Sequence, residues 1–320
     1  MPRQKLSMGG RISHQMKVAI EEIKLKHVQH KQGIEFPGSD FHASDHKQWM
    51  LSSNLSKAPL RQIMWPGTHD SATDGMGFLL LVRPLVQCQT CSVYQQLLKG
   101  TRVLDIRVDH TMHVCHGLIQ GYSLHIVIQQ VLKFLSETSM EFIILQFRTE
   151  YGHRDPPEIQ KWLIQQLGDY LIAPGMSVFG KTLGELMPKR VICVWKPSSS
   201  FSAAVSPLWS SGFLRDNWID TDLPATKFES NMEYLAAQVP VDSRYYFYRV
   251  ENTVTPQADS LVFCVKPVTN QIRGFARLFI SQAFRRGYGD RLQVFSCDFI
   301  DEDFVDACIG VTLARMENSK

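Results

Sequence analysis

His69 and Asp70 stand side by side in "IMWPGTHDSAT", where an apolar run stops at Pro66-Gly67 and small residues follow. Further along, "VLDIRV" carries Asp105 and Arg107 two residues apart; in a strand that spacing puts both side chains on one face. "HVCHG" brings His116, "FIILQFR" ends in Arg148, "VICVWK" in Lys196 and "VFSCD" in Asp298. Two histidines suit the roles of general base and general acid near neutral pH. Arginines and a lysine favour an anionic substrate, most simply a phosphate. An aspartate beside a histidine orients the ring and stabilises its protonated form. With no evident serine or cysteine nucleophile, these residues point to in-line attack on a phosphodiester by a hydroxyl, from water or from the substrate itself.

Elements that could hold such groups together are legible from about position 60. Short β-type runs alternate with helical ones: "RQIMWPG" then "SVYQQLLKG", "RVLDIRV" and "HVCHG" then "SLHIVIQQVLKFLSE". "FIILQFR" precedes "PPEIQKWLIQQLGDYLI", "RVICVWK" precedes "FESNMEYLAAQ", and "YYFYRV", "TNQIRGFARLFISQAFRRG" and "LQVFSCDFI" complete the series. Such alternation predicts a parallel sheet with helices packed outside it. Seven recognisable strands over roughly 260 residues favour a barrel over an open sheet. "KPSSSFSAAVSPLWSSG" reads as a loop. In parallel α/β folds, sites are built at the C-terminal ends of the strands. Strands that end in His, Asp, Arg, Arg, Lys and Asp would then converge on one rim; the competing reading is a set of coincidental strand exits.

Composition narrows the classes. The chain has 320 residues, 44% hydrophobic and 20% charged, with a net charge of +3. That is ample material for a core, too little charge to argue for nucleic acid, and enough for weak attraction to an anionic surface. No run of apolar residues is long enough to span a bilayer, so no transmembrane segment is expected. The first residues lack the apolar core of a secretory signal. Seven cysteines, including Cys88 and Cys91 in a C-x-x-C without a second pair, read as reduced, mostly buried thiols of a cytoplasmic protein. Residues 1–50 are polar and hold His14, His27, His30, His42 and His46; they read as a loosely attached, solvated N-terminal extension with one helix near "HQMKVAIEEIKLKH". Residues 51–320 form the remaining domain.

Taken in order, "WPGTHDSAT", "GTRVLDIRV" and "VCHG", extended by "EFIILQFRTEYG", "RVICVWKP" and "VFSCDFID", resemble the X domain of phosphatidylinositol-specific phospholipase C over residues 55–312. The likeness is strongest to small stand-alone X-domain proteins, including those of plants. It implies a distorted (β/α)8 TIM-type barrel as a single domain, and a phosphoric diester hydrolase that cleaves a phosphatidylinositol-like lipid at a membrane surface. By the resemblance, His69 is the general base on the inositol 2-hydroxyl, with Asp298 orienting it. His116 is the general acid on the leaving oxygen, assisted by Asp70, and Arg107 holds the phosphate. Asp105 fixes Arg107 or His116, and Arg148 and Lys196 are cationic substrate contacts. Asp216 and Trp218, in the loop "RDNWIDTD", offer a hydroxyl partner and an aromatic floor. Ser71 and Ala72 leave room for a phosphate. Calcium-dependent relatives carry Asn after the first histidine and Glu-x-Asp where this chain has Asp105-Ile106-Arg107. A guanidinium there would repel calcium, so no metal and no cofactor is expected.

Competing readings remain open. Phe78, Leu79, Leu80 and Leu81 form either a peripheral membrane wedge or a helix packed on the barrel. Arg273, Arg277, Arg285 and Arg286 could touch an anionic bilayer, although a solvated helix face accounts for them as well. For the chain as a whole, the alternatives are a degenerate phosphoinositide-binding module and a phosphodiesterase of the same superfamily acting on another (lyso)phospholipid. A glycerophosphodiester phosphodiesterase would open with His-Arg-Gly and metal-binding acids, which are missing at the matching place.

Overall fold

The computed structural model describes residues 8–76, 81–198, 203–258 and 260–318. Among them, ten strands occur in chain order. They are β1 (Trp65–Thr68), β2 (Val103–Val108), β3 (His113–His116), β4 (Ile119–Ser123) and β5 (Ile143–Thr149). Next come β6 (Val191–Lys196), β7 (Trp209–Ser210), β8 (Leu214–Asp216), β9 (Phe247–Asn252) and β10 (Val294–Cys297). Hydrogen bonding runs β7-β6-β5-β2-β1-β10-β9-β8, and every pair on that path is parallel. The result is a nearly closed barrel of parallel strands, open between β7 and β8.

The expected barrel is therefore present, with two differences in its wall. "HVCHG" is not a wall strand: β3 pairs antiparallel with β2 and β4 as a hairpin above the rim. The eight-strand path is completed instead by β7 and β8, which are two and three residues long and too short for a period-2 pattern to reveal. The Ser/Pro-rich loop of the sequence reading contains the first of them.

Alternation along the strands divides two layers. Leu104, Ile106 and Val108 pack outward with Leu145, Phe147 and Trp195 under the helices Leu124–Ser136 and Ile159–Leu167. Inward, Val103, Ile144, Ile192, Leu214, Phe247 and Val294 form an apolar floor, on which Trp65 meets Phe247 edge to face at 6.2 Å. Each inward row then turns polar: Asp105 and Arg107 follow Val103, Gln146 and Arg148 follow Ile144, and Arg249 and Glu251 follow Phe247. Gly67 keeps the wall tight, since a Cβ there would lie 2.4 Å from Ser296 Oγ.

The first fifty residues differ from the expected loose arm. A helix runs from Met8 to Gln32 with Val18 and Leu25 buried. Asp306 holds His46 Nε2 at 2.8 Å and His42 Nδ1 at 3.1 Å, and His14 Nε2 lies 2.9 Å from Asp222. Trp49 is fully buried and donates its Nε1–H to the Gly100 carbonyl. These anchors are polar pairs with partners far along the chain, so no local hydrophobic period announces them. All seven cysteines are free thiols, five of them buried.

Candidate active site

Parallel register brings the rim groups together. Arg107 on β2, Arg148 on β5 and Lys196 on β6 are consecutive register partners, so three cations line one side of the mouth. His69 follows β1 and Asp298 follows β10, and these two strands are paired along their length. The chain turns sharply just past each: Asp70 and Phe299 take left-handed backbone with φ of +45° and +50°, a conformation that costs free energy in any residue but glycine. The Asp70 turn is held from below, where its N–H donates to Asp105 Oδ2 at 3.2 Å. Gln89 staples the two strand ends, donating to the carbonyls of His69 and Cys297. Ser71 is fully buried and accepts the Asp105 N–H at 2.9 Å. Its role is a stitch between strands rather than the open space expected for a phosphate.

His69 is held on both nitrogens. Nδ1 lies 2.8 Å from Asp298 Oδ1, whose other oxygen accepts the Thr269 hydroxyl at 2.7 Å. Nε2 lies 2.6 Å from Arg107 Nη2. Burial lowers the affinity of the ring for a proton, Asp298 raises it and Arg107 lowers it; the balance sits above the ordinary histidine value. Trp218 stacks on the ring with centroids 5.3 Å apart and planes 20° apart. Lys227 Nζ lies 4.4 Å from the centroid of the Trp218 ring. Burial brings that lysine down to about 8, against the pull of Glu251 and Asp298.

Arg107 is the hub. It faces Asp105 at 3.3 Å, Glu150 at 3.4 Å and Asp70 at 3.7 Å. Burial works against its charge, but Asp70, Asp105 and Glu150 together hold it well above the usual value. Asp105 is pushed up by burial and pulled further down by Arg107, Arg249 and Arg148, ending well below the usual carboxylate range. Asp70 is raised, because burial outweighs Arg107 and His116. His116 Nδ1 lies 2.7 Å from the Val86 carbonyl and 3.4 Å from Asp70 Oδ2. That nitrogen therefore donates to Val86, with Asp70 as a looser neighbour, and Nε2 is the nitrogen that neither of them engages.

On the far side, Asp216 ends β8 rather than lying in a loop. Arg249 Nη2 donates to it at 2.8 Å, and Lys196 stands 3.9 Å away. Burial lowers the Lys196 pKa, with Asp216 opposing. The Arg148 side chain makes no hydrogen bond or ion pair among the described residues, and its Nε is buried. All ten expected site residues thus belong to one mouth. Phe78, Leu79 and Leu80 lie outside the described residues, while Leu81 is exposed. Arg273 and Arg277 pair with Asp301 and Asp303, and Arg286 with Glu229. Arg285 donates to the Gln32 carbonyl, so this arginine row is engaged by the protein itself.

The sequence reading missed Glu150, Arg249, Glu251, Gln89, Thr269 and Lys227. Arg249 and Glu251 carry the same signal as Asp105 and Arg107, two charges alternating in an apolar strand. Thr269 and Lys227 sit on helices and had no signal. Among the described residues, two groups could hold a metal ion by proximity: His69, Cys88 and Asp298, and Asp70, Cys88 and His116. Their chemistry fits poorly. Burial, Asp298 and Asp70 push the shared Cys88 thiol well above its usual pKa, whereas ligation needs a thiolate. Arg107 already supplies a cation there.

Comparison with known proteins adds the following. Residues 66–190 match the family described as "Phosphatidylinositol-specific phospholipase C, X domain". A 1-phosphatidylinositol phosphodiesterase from Listeria monocytogenes is 36% identical over 111 residues, 34% of this chain and 35% of that protein. A PI-PLC X-box domain-containing protein from Dictyostelium discoideum is 28% identical over 190 residues, 53% of this chain and 25% of that protein. The matches thus span about a third and a quarter of these curated relatives. Among solved structures, the phosphatidylinositol-specific phospholipase C of Listeria monocytogenes superimposes with a TM-score of 0.68 at 21% identity, over 83% of this chain and 98% of the other. A variant of the Staphylococcus aureus enzyme gives 0.63 at 18% identity, over 85% and 99%. These likenesses concern the fold.

Proposed function

We propose that the chain belongs to the X-domain family of phosphatidylinositol-specific phospholipases C, whose model matches residues 66–190, and that it is a phosphodiesterase that cleaves a phosphatidylinositol-like lipid by general acid and base catalysis. The observation that carries this reading is the linked pair of histidines. His69 is backed by Asp298 at 2.8 Å, His116 has Asp70 at 3.4 Å, and Arg107 touches both His69 and Asp70.

In this reading the phosphate of the substrate draws Arg107 toward its non-bridging oxygens, which frees His69 Nε2. That nitrogen takes the proton of the inositol 2-hydroxyl, and Asp298 stabilises the imidazolium from Nδ1. The hydroxyl oxygen attacks phosphorus in line, and His116 Nε2 delivers a proton to the departing glycerol oxygen. The products are a 1,2-cyclic inositol phosphate and diacylglycerol. Arg107 provides the fixed positive charge that a metal ion provides elsewhere. In the same reading Lys196, Asp216 and Arg148 hold inositol hydroxyls, and Trp218 packs against the inositol ring.

The test is release of cyclic inositol phosphate from phosphatidylinositol vesicles by purified protein in excess chelator. His69→Ala and His116→Ala should each cut release by about 10²–10⁴-fold with the fold intact. Binding of headgroup without product would favour the binding-module reading, and a calcium requirement would overturn the role given to Arg107.

A further inference from the structure

The helix Met8–Gln32 carries an apolar stripe that no described residue covers. Met8, Ile12, Met16, Ile20 and Ile23 are 69%, 49%, 61%, 51% and 63% exposed. At about 100° per residue they fall on one third of the circumference, while Val18 and Leu25 are buried on the side toward the barrel. Lys17, Lys24 and Lys31, spaced seven apart, form a row along one border of the stripe. None of the three makes an ion pair or hydrogen bond among the described residues. The nearby acids are engaged: Glu22 by Lys26 at 2.6 Å, and Glu21 by the backbone and hydroxyl of Thr226.

The first half of this helix stands at the mouth of the barrel. His14 is bonded to Asp222, which lies between the C-terminal end of β8 and the helix Pro224–Ala236. The Arg11 guanidinium sits 5.8 Å over the ring of Phe263, in the segment that leaves β9. Leu81, Leu261, Phe263 and Trp218, all in segments that follow the C-terminal ends of barrel strands, are exposed.

We propose that this helix is an interfacial anchor that docks the mouth of the barrel on an anionic membrane surface. An exposed apolar stripe bordered by unpaired lysines is the pattern that enters a negatively charged lipid interface. A second copy of the chain is a poorer occupant, since it would bring another lysine row toward a stripe whose nearby acids are already taken. The choice of a lipid surface rests on the proposed lipid substrate, so the test reads binding on lipids that are not substrates.

The experiment is co-sedimentation of the full chain with phosphatidylcholine vesicles, with and without phosphatidylserine. Wild-type protein should partition onto the phosphatidylserine vesicles and much less onto phosphatidylcholine alone. Ile12→Glu with Met16→Glu should weaken that partitioning at least about tenfold. Replacing Lys17, Lys24 and Lys31 by Gln should remove the preference for phosphatidylserine and its salt sensitivity. Both variants should keep the wild-type melting temperature and the hydrolysis of a water-soluble inositol phosphodiester. Unchanged binding by the Glu variant overturns the proposal. So does a wild-type dimer in vesicle-free solution that the Glu variant converts to monomer. Protein that binds through this helix yet cleaves no lipid would sink the proposed reaction and leave the anchor standing.

Discussion

Arg107 Nη2 lies 2.6 Å from His69 Nε2. A guanidinium nitrogen only donates, so Nε2 must accept, and the ring is the neutral tautomer with its proton on Nδ1 facing Asp298. A second proton can go only to Nε2, the atom that Arg107 approaches. Proton uptake by His69 and displacement of Arg107 are therefore one event, and a substrate phosphate that attracts Arg107 favours it.

Loss of either acid-base group should cost about 10²–10⁴-fold in kcat. His69→Ala and His116→Ala are expected in that range, with far-UV circular dichroism like wild type because neither ring is part of the apolar floor. Near wild-type turnover in either variant would remove that histidine from the mechanism.

Arg107→Met should harm the fold as well as the reaction. It leaves Asp70, Asp105 and Glu150 facing one another in a buried mouth. Stranding buried charges in this way costs about 3–5 kcal/mol, to be read as a lowered urea midpoint at pH 7. The loss should shrink at low pH, where Asp70, already raised by burial, takes up a proton first.

Asp298→Asn should shift the pH profile. The base works unprotonated, so kcat/KM falls as pH drops through the His69 pKa, which stands above the ordinary value of about 6.5. Removing the carboxylate that raises it should move the acidic limb to lower pH while reducing the maximum rate. Stability follows the same linkage. A raised folded pKa contributes stability that is complete below about pH 6.5 and lost as pH rises through the folded value. Urea titrations across that window should show a smaller slope with pH in Asp298→Asn; an unchanged slope and limb would assign the titration to another group.

Trp218 should report on the site. It is 45% exposed and stacked on His69, unlike the buried Trp49, Trp65, Trp195 and Trp209. Its emission should fall as His69 becomes protonated and change when an inositol phosphate binds. Both signals should vanish in Trp218→Phe, while Trp218→Ala should raise KM more than it lowers kcat.

Glu141→Ala tests the attachment of the N-terminal segment. Glu141 accepts the N–H groups of Met50 and Leu51 and pairs with Arg102, a fully buried side chain. Its removal strands the guanidinium at a cost of about 3–5 kcal/mol. Global melting should drop, and protease cleavage ahead of residue 50 should accelerate.

Much of this site is local chemistry, and that part was readable from sequence. Asp105 and Arg107 share a strand face by spacing alone, and charges closing apolar runs mark the C-terminal ends of parallel strands. The Pro66-Gly67 stop before His69-Asp70 needed no partner to be seen. Pairing between distant elements was decided only in three dimensions. Val86 rather than Asp70 accepts the His116 Nδ1–H because the segment before Cys88 reaches the β3–β4 hairpin. Thr269 reaches Asp298 from a helix, and Asp306 gathers His42 and His46 from an arm that read as loose. Strand register placed Arg107, Arg148 and Lys196 side by side, and no spacing along the chain encodes that register. Periodicity and turn residues act within a few residues, whereas hydrogen-bond partners and burial depend on which surfaces meet when the barrel closes.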